Sequence, residues 1–429
     1  MLRLNVWGPL PPSPSGIADY LHEQLDALAR RVELRVVSED GPAPAADLDL
    51  YQLGNSPAHA FVYRAALRRP GVLLLHDWSL HHLVLQETVE RGKRDSYLRL
   101  MRRAYRETGV HLGRQIALGL GGRLLPALFP LNEHVLDASL AVVGLSRALT
   151  ELATRALPGR PVLHLPHHLS LPFDPPPTRD EARRALGLAP DALLVTAPGL
   201  ATSSKRLDVA MRVIARLRTH HAGLRLVVAG AVEPGLPLDA WSRAANLGAG
   251  LIVTGRLTLE DFVRHLAAAD VVLALRFPSH GEMSGALVRA LGVGRPVLVT
   301  AGTPVADEFP EGLVAHVDPG VREEAVLEAL LGQLLASRGL RERMGRLAEE
   351  HVRREHALEA TVARLVCFLE QVQRSRPALE ERLLETHAPE GSLRQYLLDE
   401  LRSSARELGL QGTSLGLAAL LAPLCPERP

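Results

Sequence analysis

The sequence predicts an α/β protein built from two doubly wound, Rossmann-like halves, and three observations carry that prediction. The chain has 429 residues, more than one ordinary core of roughly 100–200 residues organises. In both halves short apolar runs alternate with helical stretches of crossover length, the pattern of parallel strands covered by helices. Between the halves stands LSLPFDPPPTRD, with four prolines in twelve residues, which supports neither a helix nor a central strand and so reads as a linker.

The strands of the first half are LRLNVW, VELRVVS, LDLYQLG, GVLLLHD, LAVVGLS and PVLHLPH, with a helix from about Ile17 to Ala29 after the first. The second half supplies ALLVTAPG, LRLVVAGA, LIVTGRL, DVVLALR and RPVLVTA. These runs are rich in leucine and β-branched residues, separated by helical patterns such as RLDVAMRVIARLR and LEDFVRHLAAA. Beyond about Arg322 the pattern is helical, ending in a leucine-rich tail. The expected division is residues 1–170, residues 171–360, and C-terminal helices over 361–429, the first of them crossing back to the first domain.

Composition narrows the function classes. With 47% hydrophobic and 23% charged residues each half can bury a core. A net charge of +1 gives no global attraction to nucleic acid. Cys367 and Cys425 are the only cysteines, too few for a disulfide framework or thiolate cage. No run of about 18 uncharged apolar residues occurs and no secretory pattern opens the chain, so a cytoplasmic protein is expected.

In doubly wound sheets ligands bind outside the carboxyl ends of the strands. After the first strand, GPLPPSPSGIADY places Gly16 at a helix start with Ser15 as a cap, an anion site or an ordinary turn. After ALLVTAPG, the loop LATSSKRLD brings Lys205 and Arg206 to a helix start, where the macrodipole disfavours cations unless an anion such as a diphosphate compensates; a solvated surface pair is the alternative. The segment RFPSHGEMSGALVRALGVGRPV sets Glu282, Ser284 and Gly285 between a strand and a helix. There a carboxylate can accept from sugar hydroxyls and backbone N–H groups can hold phosphate oxygens; helix capping is the bland alternative.

The order of Gly16, Lys205, TGRL, RFPSHGEMSG and RALGVGRPV resembles the retaining nucleotide-sugar glycosyltransferases of family 4, over about residues 1–370, and PLPPSPSGIADY, YQLGN, GVLLLHDWSLHHL and VVGLSRALTEL resemble the first half of a bacterial branch. The resemblance implies the GT-B fold, two Rossmann-like domains facing across a cleft. It implies a nucleotide-sugar donor, a glycan or lipid-linked acceptor, and transfer with retention and without a metal or other cofactor. Residue by residue it implies that Gly16 faces the donor phosphate, that Lys205 and Arg206 neutralise the diphosphate, and that Gly255 and Arg256 lie beside the nucleobase. Glu282 would hold the donor sugar, with Ser284 and Gly285 completing the phosphate site and His76 near the transferred sugar. The sequence departs from the family where a second glutamate usually binds ribose: the segment is one residue shorter and Arg289 stands there, to meet a phosphate or to face solvent.

His76 and Asp77 end the run GVLLL, at a strand's carboxyl end, where a histidine can donate to sugar hydroxyls or move protons. His81 and His82 follow without a carboxylate at ligand spacing, which argues against metal. GLGG at 119–122 lacks a preceding strand and the dinucleotide-loop spacing. From Arg91 to Arg106 seven of sixteen residues are basic, a basic amphipathic pattern that fits contact with anionic lipid or a solvated helix. The rival functions are a GT-B sugar-nucleotide hydrolase, epimerase or phosphorylase, and a sugar-binding protein without catalysis.

Overall fold

The computed structural model describes residues 1–13, 15–42, 44–122, 124–310 and 312–387. Six strands form the first sheet: β1 (Arg3–Trp7), β2 (Glu33–Val37), β3 (Leu48–Leu53), β4 (Val72–Leu75), β5 (Ala141–Gly144) and β6 (Val162–His164). The second sheet holds β7 (Leu194–Pro198), β8 (Arg225–Ala229), β9 (Leu251–Val253), β10 (Val271–Ala274), β11 (Val297–Thr300) and β12 (Ala315–Val317). All neighbouring strands pair in parallel.

The strand orders are β2-β1-β3-β4-β5-β6 and β12-β11-β10-β7-β8-β9. The first is a flavodoxin-like order extended by one strand, and the second is the Rossmann order. Each sheet therefore has a switch point where the winding reverses, between β1 and β3 in the first and between β7 and β10 in the second. Crevices at such points are open at the strands' carboxyl ends, and that fixes where a ligand can enter.

Burial follows the period-2 geometry of a strand covered on both faces. In β8, Val227 and Ala229 join one buried cluster while Leu226 and Val228 join the other. A third cluster, with Trp7, Tyr51, Leu73 and Val142, fills one side of the first sheet. Continuous apolar runs such as Val72–Leu75, entirely buried, were readable as central strands for this reason.

The helices that bear on the site are α1 (Gly16–Ala29), α2 (Arg94–Ile116), α3 (Arg147–Ala156), α4 (Leu207–Leu217), α5 (Gly285–Gly292), α6 (Pro304–Glu308), α7 (Glu323–Ala336) and α8 (Leu358–His387). Both sheets lie in one compact unit, Met1–Arg374. Within it the first turns of α8 touch the first domain, with Glu359 paired to Arg30 and Arg31 and Arg364 donating to His164 O at 2.9 Å. The described residues of the second unit, Ser375 onward, continue α8. The leucine-rich tail and Cys425 lie outside the described residues. Among the described residues no helix is long and apolar enough to cross a membrane.

Candidate functional site

The second sheet's switch point is flanked by the loops after β7 and β10, and these hold the charged part of the site. Glu282 is buried. One of its oxygens accepts from His280 N at 2.6 Å and Ser279 Oγ at 3.1 Å, and the other faces the Arg276 guanidinium at 2.8 Å. Burial works against its charge, but Arg276 and the surrounding N–H donors outweigh it and hold the carboxyl below its usual range. Glu282 is thus no helix cap. The cap of α5 is Ser284, whose Oγ accepts from Leu287 N at 3.3 Å.

Lys205 lies across from Arg276 in a pocket also lined by Pro198, Ser279, Ser284 and Thr303. Its ammonium donates to Pro198 O. Burial, with Arg276 beside it, drives the ammonium well below its ordinary value, which is what a cation without an anionic partner undergoes. Two basic side chains and the start of α5 thus converge on one small pocket, beside a single carboxylate.

The two domains meet at this pocket. Trp78 N and Ser79 N, in the loop after β4, both donate to His280 O at 2.9 Å, and the rings of His82 and His280 pack edge to face at 5.2 Å. Gly281 makes the contact possible: its φ is +85°, and a Cβ there would lie 2.4 Å from Trp78 Cβ. Any side chain would push the domains apart.

On the first-domain side the groups are neutral. His76 Nε2 donates to Gln52 Oε1 at 2.7 Å, and burial, with His59 and His168 nearby, holds the imidazole well below its usual value and so uncharged. Its ring packs against Tyr20 at 4.9 Å. The expected donor is thereby corrected: the ring's N–H is spent on Gln52, leaving Nδ1 as an acceptor. Asp77 accepts from Asn55 N at 2.7 Å; burial and then Glu282 push its carboxyl up to about 7, against Asn55 and Arg276. Gly16 begins α1 under a Ser15 cap, Oγ accepting from Ile17 N at 3.2 Å, and the space beyond its Cα is open.

Other predicted residues sit differently. Helix α4 starts at Leu207, and Arg206 is left-handed at φ 55°, which turns its guanidinium to Glu323 of α7 at 2.5 Å. Arg206 lines the α4–α7 groove with Arg212 and Arg216, so its expected place on the diphosphate is corrected. Arg289 neither faces solvent nor stands free for a phosphate. It pairs with Glu23 of α1 and donates to Ser170 O at 3.2 Å. Gly255, with φ +71°, and exposed Arg256 follow the edge strand β9. Gly285 is crowded, since a Cβ there would lie 3.0 Å from His167 Nε2. His81 spends both ring nitrogens, on Phe129 O at 2.6 Å and Tyr97 Oη at 2.8 Å.

Sequence reasoning missed Arg276, Tyr20, Glu23 and the pair His167–His168. Arg276 carried a signal, as the first charge after the run VVLAL. Tyr20, Glu23 and Gln24 follow Gly16 at helical spacing on one face, which is the signal the sequence carries for them. His168 closes the network, bonding to Glu23 at 3.0 Å and Gln24 at 3.3 Å. Burial outweighs Glu23 and lowers the His168 pKa.

Comparison with known proteins gives the domain around this pocket its relatives. Residues 178–351 match the family model described as glycosyl transferases group 1. That match falls within the second domain. A D-inositol 3-phosphate glycosyltransferase of Actinosynnema mirum is 35% identical over 207 residues, covering 45% of this chain and 48% of that protein. One of Geodermatophilus obscurus is 31% identical over 206 residues, covering 44% and 45%. The chain thus spans about half the length of the curated relatives it matches. Among solved structures, WaaG, a glycosyltransferase involved in lipopolysaccharide biosynthesis, superposes with a TM-score of 0.55 at 16% identity, over 85% of this chain and 99% of that one. Anabaena HepE in complex with UDP and glucose gives 0.56 at 14%, over 86% and 100%. The domain that matches the group 1 model is therefore one half of a GT-B fold.

Proposed function

We propose that the protein transfers a sugar from a nucleoside diphosphate sugar to a glycan or lipid-linked acceptor, retaining the anomeric configuration and using no metal. The observation that carries this is the meeting of Lys205, Arg276 and the capped start of α5 at the switch point of the group 1 domain. A leaving diphosphate needs its developing charge stabilised, and fixed cations and N–H dipoles do this without reorganisation. Glu282 accepts from hydroxyls of the donor sugar, and the neutral first-domain loop with His76 faces the acceptor. In the reaction the bond from the anomeric carbon to the diphosphate oxygen breaks and one to the acceptor oxygen forms. The acceptor's proton leaves on the departing phosphate, so no protein nucleophile takes part. The names of the relatives and the UDP held by HepE support a nucleotide-sugar donor.

The test is turnover of a panel of nucleotide-sugars with glycan and lipid-linked acceptors, products resolved by chromatography. Sugar on the acceptor with unchanged anomeric configuration is the expected result. Free sugar alone, or binding without turnover, overturns it in favour of a hydrolase or a sugar-binding protein.

A further inference from the structure

Helix α2 is not one straight rod. Arg106, at φ 55° and ψ −143°, breaks it, and its second half folds back on its first. A Cβ on Gly109 would lie 2.1 Å from Met101 O, and one on Gly113 would lie 3.1 Å from Leu98 Cδ2 and Met101 Cγ. These contacts run antiparallel, so the far end of α2 returns level with Lys93 and Arg94. The described residues that follow, 117–122 and 124–128, include Leu118, Leu120, Leu124 and Leu128, exposed at 63%, 71%, 50% and 67%. Four large apolar side chains in eleven residues is a clustered patch, unlike a scatter of single exposed residues.

The underside of this segment is fixed. Ser79 Oγ donates to Pro126 O at 2.7 Å and Leu80 N to Pro130 O at 2.8 Å, which ties it to the loop carrying His76 and Asp77. Its leucines therefore point away from a surface that is already anchored. The basic stretch divides in two. Arg91 and Arg103 are neutralised by Glu87 and Asp137. Lys93, Arg94 and Arg114 are exposed and have no ion pair among the described residues; the exposed acids of that stretch are Glu90, Asp95 and Glu107, the last facing Arg102 at 3.8 Å.

We propose that the leucines of 117–128, flanked by Lys93, Arg94 and Arg114, dock on an anionic lipid bilayer. Apolar side chains entering the headgroup boundary beside cations that meet anionic lipid is the arrangement of an interfacial anchor. The anchored loop beneath then sets the first-domain side of the cleft over the membrane. In this proposal the basic stretch Arg91–Arg106 supplies part of the charge, and the apolar element lies after it.

The test is sedimentation of the full chain with vesicles of phosphatidylcholine plus phosphatidylglycerol, and of phosphatidylcholine alone, without any nucleotide-sugar. Binding to the anionic vesicles at low salt is expected. Leu118→Ser with Leu120→Ser weakens it about tenfold per leucine, as expected for losing buried side chains of that size. Lys93→Gln with Arg94→Gln weakens it by about fivefold per charge at low salt and less at high salt. All four side chains are exposed, so thermal midpoints stay at the parent value and report the fold. No binding to anionic vesicles, or leucine variants that bind like the parent, overturns the proposal. Either result leaves the proposed sugar transfer standing, because no donor is present.

Discussion

The loop after β4 and the loop after β10 each leave the carboxyl end of a buried strand, and each carries a carboxyl group, half-buried Asp77 and buried Glu282. Their pKa values are shifted in opposite directions. Glu282 is held ionised by Arg276 and backbone N–H groups, whereas Asp77, with one backbone donor and Glu282 as a neighbour, is pushed up to about 7. His76 beside it is kept neutral by burial. Two anions so close cannot both be cheap, and the guanidinium of Arg276 decides which one stays charged. The consequence is that, of these two loops, the one on the second domain holds the fixed charge and the one on the first domain carries the neutral imidazole of His76 and the raised carboxyl of Asp77. That division suits a charged leaving group on one side and hydroxyl groups on the other.

The largest effect is expected where the two regions are tied. Arg289→Ala leaves Glu23 buried beside His168 without its cation, and breaking a buried pair costs about 3 kcal/mol. The urea midpoint should fall accordingly, while nucleoside diphosphate affinity stays within about threefold, a change under about 1 kcal/mol. Lost affinity with unchanged stability would return Arg289 to the phosphate site.

Glu282→Gln tests the second loop. It keeps the size of the side chain and removes the charge facing Arg276, so a sugar that the carboxylate orientates is misplaced. Turnover should drop by about a hundredfold, the cost of a misplacement near 1 Å, with nucleoside diphosphate affinity again within about threefold. Unchanged turnover would leave Glu282 a structural residue of the loop.

Asp77→Asn tests the first loop through pH. The folded carboxyl titrates at about 7, above its unfolded value of about 3.9. Its contribution to stability is therefore full below about pH 4 and is lost as pH rises through about 7. The stability of Asp77→Asn relative to the parent should rise between those values and level off above. Parallel stability curves would mean that the two carboxyl groups are not differently charged.

Much of this was legible in the sequence, for physical reasons. The strands were visible because sheets covered on both faces demand unbroken apolar runs such as VLLL and VVLA. Glu282, Ser284 and Lys205 stood out because strand-end loops in such sheets are where ligands can enter. The pairs were not legible. Glu23 and Arg289 are 266 residues apart, and no periodicity within either helix reports a partner on the other domain. Arg206 was misplaced because its left-handed turn, which aims it at Glu323, depends on α7 more than a hundred residues later. His76 was credited with a free N–H because Gln52, its acceptor, lies on a neighbouring strand.

The central claim is that the pocket between β7 and β10 holds the diphosphate of the donor. Calorimetric titration of nucleoside diphosphates, with a chelator present, into the parent and into Lys205→Ala tests it most directly. At least one nucleoside diphosphate should bind the parent and bind the variant about tenfold or more weakly, the worth of one charge-assisted contact. Equal affinity in the two proteins, or no binding of any nucleoside diphosphate to the parent, would contradict it.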